Sequence, residues 1–189
     1  DRIIDAIADG PVIDYFDHYN AVNSELNILV EQMSLEMRFS GSNFMPVCAT
    51  VAQENLDDDY KSTLTYIFSH KMAATRAGLG WIGKTDLLVS ERFGPRIRLA
   101  TILTDMKLDC TKQPITESRC GSCSLCVDNC PASAASGQLW NVSTGRDSFF
   151  DAFKCRDYCR AISREKLDED ISLCGKCISI CPEGRKSKS

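Results

Sequence analysis

Two cysteine runs near the end of the chain constrain its fold more than any other feature. The first run carries Cys120, Cys123, Cys126 and Cys130 followed by Pro131, and the second carries Cys174, Cys177 and Cys181 followed by Pro182. Spacing of the form Cys-x2-Cys-x2-Cys-x3-Cys-Pro is typical of bacterial iron–sulfur proteins, in which three close thiolates hold one cluster and the fourth reaches a second. The two runs therefore predict two [4Fe–4S] clusters.

Zinc is the main alternative, because paired Cys-x2-Cys knuckles also suit a tetrahedral metal ion. A zinc knuckle needs neither a third cysteine nor a Cys-Pro ending, and both runs have these features. The spacing therefore favours iron. Ligands of this kind must be thiolates, which indicates a reducing compartment, and we expect a cytoplasmic protein.

Two clusters need eight thiolates, and the two runs supply seven. An ordinary two-cluster ferredoxin would place the eighth three residues before Cys174, where this chain has Ile171. We therefore expect the eighth thiolate from Cys155 or Cys159, displaced by an insertion the length of a helix. The crossing rule assigns one cluster to Cys120, Cys123, Cys126 and Cys181, and the other to Cys130, Cys174, Cys177 and one of the displaced pair.

Composition excludes several other classes of protein. Nine of the eleven cysteines lie from Cys120 onwards, whereas a disulfide scaffold would spread them along a shorter secreted chain. The two isolated cysteines, Cys48 and Cys110, are predicted to be small buried hydrophobic residues. The formal net charge of −4 provides no global attraction for nucleic acid, so no nucleic-acid partner is expected. We find no signal peptide and no apolar run long enough to cross a bilayer, so no membrane partner is expected either.

The spacing of apolar residues predicts helices over residues 1–8, 17–38 and 60–77. The acidic run at residues 57–59 suits the start of the third helix, where negative charge complements the helix dipole. Residues 44–51 are predicted to be extended. Residues 87–90 and 96–104 are predicted to be strands that pair as a hairpin around the turn at 93–95, and the polar residues 111–118 a linker.

A glycine-rich run at residues 77–84 matches the spacing of a phosphate-binding P-loop, with Gly78 followed by Gly83, Lys84 and Thr85. A true P-loop follows a buried strand and opens a helix. This run instead follows a predicted helix and precedes a predicted strand, so we reject that interpretation. The pattern favours a glycine-capped helix end that turns into a strand.

Three features together resemble the epoxyqueuosine reductase family of iron–sulfur, corrinoid-dependent reductases. They are the run Ala-Gly-Leu-Gly-Trp-Ile-Gly-Lys at residues 77–84, the Leu-Thr-Asp at residues 103–105, and the two cysteine runs with one displaced ligand. Reductive dehalogenases share the same double-cluster architecture. The resemblance covers most of the chain.

The resemblance implies an α+β fold in two domains. Residues 1–115 would form a partial nitroreductase-like α/β domain of the corrinoid-reductase type, whose N-terminal portion we expect to be missing, and residues 116–189 a bacterial ferredoxin-like domain with two clusters. The resemblance also implies that Cys155 is the eighth ligand and Cys159 is spare. It places a cobalamin near the glycine-rich run, against Gly78, Gly80, Trp81, Gly83 and Lys84.

Two functions compete on these observations. The chain is either the electron-delivering part of an epoxyqueuosine reductase-like enzyme, served by a redox partner protein, or a ferredoxin-type electron carrier without chemistry of its own. A carrier does not need the first 115 residues, which favours the enzyme. Residues 46–51 hold no carboxylate where the family has an acid, which favours the carrier. A third hypothesis is that the clusters only stabilise a small domain.

The choice of iron over zinc is directly testable. Protein purified without oxygen should contain iron and show the broad visible absorption of thiolate-bound iron. Elemental analysis and an absorption spectrum of the same sample check this. Stoichiometric zinc in a colourless sample would contradict it.

Overall fold

The structure is a computed structural model that describes residues 2–38, 41–109 and 113–185. The α-helices are α1 (Arg2–Asp5), α2 (Ile13–Met37), α3 (Asp58–Thr63), α4 (His70–Arg76), α5 (Leu125–Asp128), α6 (Ala152–Leu167) and α7 (Lys176–Ile180). The strands are β1 (Phe44–Val47), β2 (Gly80–Ile82), β3 (Leu88–Ser90) and β4 (Thr101–Thr104), and single 3-10 turns lie at Gln53–Asn55 and Arg146–Ser148. This mixture of helices and strands confirms the coarse α+β class. The nitroreductase-like character of the first part stays a prediction.

The chain folds as two compact units, and neither is continuous in sequence. The first comprises Asp1–Asp17, Lys71–Ile97 and Gln113–Ser189, and the second comprises His18–His70 and Arg98–Lys112. The glycine-rich run therefore lies in the same unit as both cysteine runs. A domain boundary at residues 115–116, which the resemblance implies, stays a prediction.

The second unit is built on an antiparallel pair, β1 with β4, in which Phe44 lies opposite Thr104. Asp105 ends this pair, because its carboxylate accepts hydrogen bonds from the backbone N and the side-chain Nδ2 of Asn43 at 2.9 and 2.6 Å. These bonds lower the pKa of Asp105. The His70 ring lies across the pair, with Nδ1 2.7 Å from Thr101 Oγ1 and Nε2 2.9 Å from the Cys48 carbonyl oxygen.

The predicted pairing of residues 87–90 with 96–104 is wrong. After β3 the chain turns back on itself through a bridge between Ser90 and Gly94. A Cβ on Gly94 would overlap the Glu183 carbonyl, so the turn is packed directly against the backbone near the chain's end. After this turn the chain leaves β3, and β4 pairs with β1 instead.

The glycine-rich run behaves as a helix end that turns into a strand, as the sequence predicts. α4 ends at Arg76, and Gly78 adopts a left-handed φ of 67° before β2 begins at Gly80. β2 then pairs antiparallel with β3, and Trp81 lies opposite Val89. The run leads into a hairpin and not into a helix, which excludes a P-loop here.

The predicted helix over residues 60–77 is divided into α3 and α4. Its acidic start is confirmed, since the Asp57 side chain caps α3 by accepting a 2.7 Å hydrogen bond from the Tyr60 backbone N–H. Leu64 ends α3 in a left-handed conformation. The Thr63 hydroxyl bonds to the Asp59 carbonyl and accepts from the Thr65 backbone N–H, and such local bonds compete with continuation of a helix.

Other boundaries differ by a few residues. α1 covers only Arg2–Asp5 of the predicted 1–8, and α2 begins at Ile13, before the predicted start at residue 17. Ile115, in the predicted linker, is buried against Trp81 and Val89, and its N–H donates to the Thr75 carbonyl at 2.9 Å. The described part of that segment is therefore part of a core.

Three smaller predictions also have outcomes. Cys48 is half-buried, whereas Cys110 lies outside the described residues. The insertion expected between the cysteine runs is helix α6. Among the residues that the structure describes, no helix has both the length and the apolar character needed to span a membrane.

Gly80→Ala should destabilise the first unit, because a Cβ at Gly80 would overlap the Val89 carbonyl oxygen across the β2–β3 pair. We expect the free energy of unfolding to fall by about 1–3 kcal/mol or more. Gly145→Ala is the matched control, since a Cβ there meets nothing within 4 Å and its φ is −68°. Unfolding in urea, followed by circular dichroism, measures both variants. Equal stabilities would contradict the hairpin register.

Candidate iron–sulfur centre

The first group of sulfur atoms combines three cysteines of the first run with the last cysteine of the second. The pKa of the Cys126 thiol is raised to about 11. Burial is the largest cause, and the charges of Cys120, Cys181 and Cys123 follow in that order. α5, which carries Cys126, is in contact with α7, which Cys181 follows directly. The structure thus brings together the four residues that the crossing rule assigns to one cluster. Their role as ligands stays a prediction.

The second group of sulfur atoms lies around α6. Burial raises the pKa of Cys177 to about 12, and the charges of Cys155 and Cys174 act in the same direction. Cys130 and Cys174 both act on Tyr158, whose pKa is raised mainly by burial. The backbone N–H of Ala134 donates to Cys130 Sγ at 3.4 Å. That Cys130 joins this second group stays a prediction of the crossing rule.

Cys159 is a fifth sulfur in the second group. It lies one turn after Cys155 on α6, with the two Sγ atoms 3.8 Å apart, and it is 7% exposed. Hydrogen bonds to Cys155 and Cys174 raise the pKa of Cys159. The same bonds lower the pKa of Cys155 and lower that of Cys174 to about 6. Cys159 thus lies beside Cys155, the residue predicted to be the eighth ligand.

The five residues expected to contact a cobalamin are all buried. They are Gly78, Gly80, Trp81, Gly83 and Lys84. Trp81 Nε1 donates to Cys120 Sγ at 3.4 Å, and Lys84 Nζ donates to the Cys123 carbonyl oxygen at 2.9 Å. A Cβ on Gly83 would lie 3.8 Å from Cys120 Sγ. The structure thus places this run against the first cysteine run.

Thr85, the residue after Lys84, acts on Cys177, which belongs to the other group of sulfurs. Its side chain forms a hydrogen bond with Cys177, which opposes the rise in pKa that burial causes there. Asp86 follows, and its charge acts on Cys155. Asp86 is itself held by an ion pair with Lys71. The loop between β2 and β3 therefore contacts both groups of sulfurs.

Arg96 holds the end of the second run and was missed by sequence reasoning. Its Nη1 donates to the Glu183 carbonyl at 2.6 Å, and its Nη2 donates to the carbonyls of Cys181 and Ser179 at 3.0 and 3.4 Å. Burial lowers the pKa of Arg96. Nothing in the spacing of the sequence marks this arginine, because its partners are backbone oxygens more than eighty residues away.

Within residues 2–38, 41–109 and 113–185, no three His, Cys, Asp or Glu side chains form a group that could hold a metal ion. The preference for iron over zinc therefore rests on the spacing of the cysteines.

Comparison with known proteins agrees with this geometry. Residues 119–184 match the family described as 4Fe-4S double cluster binding domain. The resemblance to epoxyqueuosine reductases is confirmed. Over 123 residues the chain is 32% identical to the epoxyqueuosine reductase of Cyclobacterium marinum, which covers 61% of this chain and 36% of that protein. It is 24% identical to that of Leadbetterella byssophila over 166 residues, or 88% of this chain and 48% of that one.

Solved epoxyqueuosine reductases share the fold. The Bacillus subtilis enzyme matches with a TM-score of 0.55 at 20% identity, covering 85% of this chain and 39% of the enzyme. An epoxyqueuosine reductase solved with an epoxyqueuosine-modified tRNA-Tyr stem loop matches with a TM-score of 0.55 at 22% identity, over 85% of this chain and 39% of its own. This chain thus spans less than half the length of these relatives.

The assignment of the eighth ligand predicts different outcomes for two cysteines on one helix. Cys155→Ser should lower iron content by about half, because it removes a ligand of one cluster and leaves the other intact. Cys159→Ser is the matched control and should retain full iron content, since it removes only a thiol donor. Iron analysis of protein reconstituted without oxygen measures both. Loss of iron from Cys159→Ser alone would reverse the assignment.

Proposed function

We propose that the chain binds two [4Fe–4S] clusters and is the electron-delivering part of an epoxyqueuosine reductase-like reductase. The observation that carries this proposal is the match of residues 119–184 to a 4Fe-4S double cluster binding domain. The contact between α5 and α7, which brings Cys181 near Cys126, supports it, because a two-cluster ferredoxin-like domain exchanges one cysteine between its runs. When bound, the clusters supply transfer of single electrons.

The donor set fits two clusters. The first group offers Cys120, Cys123, Cys126 and Cys181, and we assign Cys130, Cys155, Cys174 and Cys177 to the second, with Cys159 beside Cys155. Most of these thiols are half-buried. Partial burial limits access of water and oxidants to the sulfurs, while an edge of the site stays close enough to the surface for a redox partner protein. Thiolate ligands also support a reducing, cytoplasmic location.

The relatives suggest the class of reaction. Their shared name indicates reduction of an epoxide, and one neighbour of known structure was solved with a tRNA stem loop. We carry the reductive activity over to this chain. A nucleic-acid substrate is supported by that neighbour alone, and the net charge of −4 speaks against it.

Cobalamin enters only through the resemblance. The five residues assigned to it are buried, and Trp81 and Lys84 contact the first cysteine run. They do not fit the open, flat surface that a corrinoid needs, so we derive no step through this cofactor. A corrinoid bound by this chain would contact other residues.

A ferredoxin-type carrier is the second candidate. One observation favours it: β1 and the residues that follow it, up to Val51, carry no carboxylate. A carrier needs no acid to protonate a substrate, whereas reduction of an epoxide needs protons as well as electrons. The two candidates share the clusters and differ only in whether the chain binds a further reactant.

Mixing the reconstituted protein with cobalamin separates the two candidates. A corrinoid-dependent reductase would bind the added cobalamin through residues outside the glycine-rich run, and the absorption spectrum of cobalamin should change. The carrier predicts an unchanged spectrum. Bovine serum albumin at the same concentration controls for unspecific binding. Iron content near eight per chain is required by both candidates, and a much lower value would contradict both.

A further inference from the structure

We propose that Trp81 and Lys84 raise the reduction potential of the cluster held by the first group of sulfurs. This inference rests on the proposed function, since it presupposes the clusters. It gives the glycine-rich run a role in electron transfer that does not involve a corrinoid.

Trp81 is a fixed hydrogen-bond donor to a cluster ligand. It is 5% exposed, and it is held by its pairing with Val89 and by packing against Ile115. The guanidinium of Arg119 covers its ring at 5.7 Å from the centroid. These contacts leave the indole little freedom, so Nε1–H stays directed at Cys120 Sγ, 3.4 Å away.

Lys84 brings a positive charge to the same group. It is 6% exposed, and its Nζ donates to the carbonyl of Cys123, itself a predicted ligand. The neighbouring acid Asp86 is paired with Lys71 instead. Among the ion pairs of the described residues, none involves Lys84. Its charge is therefore available to act on the nearby sulfurs in a medium of low dielectric constant.

The direction of the effect follows from charge. Reduction adds negative charge to a cluster and its sulfurs, so hydrogen-bond donors and a cation stabilise the reduced form more than the oxidised form. Each of the two side chains should therefore raise the potential of the cluster beside it. Removal of either should make the reduction of that cluster harder.

A redox titration of the whole reconstituted chain, monitored by electron paramagnetic resonance, tests this inference. Trp81→Phe should lower the equilibrium constant for one of the two reduction steps by roughly three- to tenfold, as expected for loss of a typical hydrogen bond. Lys84→Met should lower the constant for the same step, and both variants should leave the other step unchanged.

Trp140→Phe is the matched control. Trp140 is the chain's other tryptophan and is 4% exposed, and no hydrogen bond from its ring to a sulfur occurs among the described residues. It should shift neither step. The inference is overturned if Trp81→Phe and Lys84→Met, with full iron content, leave both steps in place, or if the two variants shift different steps. Low iron content in the unsubstituted chain would instead overturn the proposed function.

Discussion

Packing of the β2–β3 hairpin on the first cysteine run is the contact on which the cluster-bearing unit depends. The hairpin holds Trp81 against Cys120, and its loop holds Lys84 against the Cys123 carbonyl. Arg96 holds the end of the second run in a similar way, because it donates hydrogen bonds to the carbonyls of Cys181 and Glu183. Loops rich in cysteine have little apolar surface of their own to bury, so their shape has to come from such contacts with neighbouring elements.

Part of the arrangement of the cysteines could be predicted because it depends on local spacing. Three residues between the third cysteine and a final Cys-Pro predict that the last cysteine of each run leaves its own group, and the structure brings Cys181 near Cys126. The end of α4 was equally local, because Gly78 supplies the left-handed φ that a helix end favours. Such features depend on a few adjacent residues.

The failures all concern partners that are distant in sequence. β4 alternates as a strand should, but nothing in its residues says that β1 is its partner, and the nearer β3 was chosen wrongly. The roles of Trp81 and Arg96 were missed for the same reason, because their acceptors lie 39 and more than eighty residues away. The break at Leu64 was missed because the spacing of apolar residues carries no information about the hydrogen bond from the Thr63 hydroxyl to the Asp59 carbonyl.

The discontinuity of the first unit has a consequence for any attempt to excise the iron–sulfur part. A fragment that began at residue 116 would contain every proposed ligand, yet it would lose the indole, the lysine and the arginine that lie against them. Its sulfurs would face bulk solvent on the sides that the hairpin now covers. Such a peptide would resemble a small ferredoxin in sequence only. A recombinant transfer of the iron–sulfur part to another protein would have to include residues 71–97.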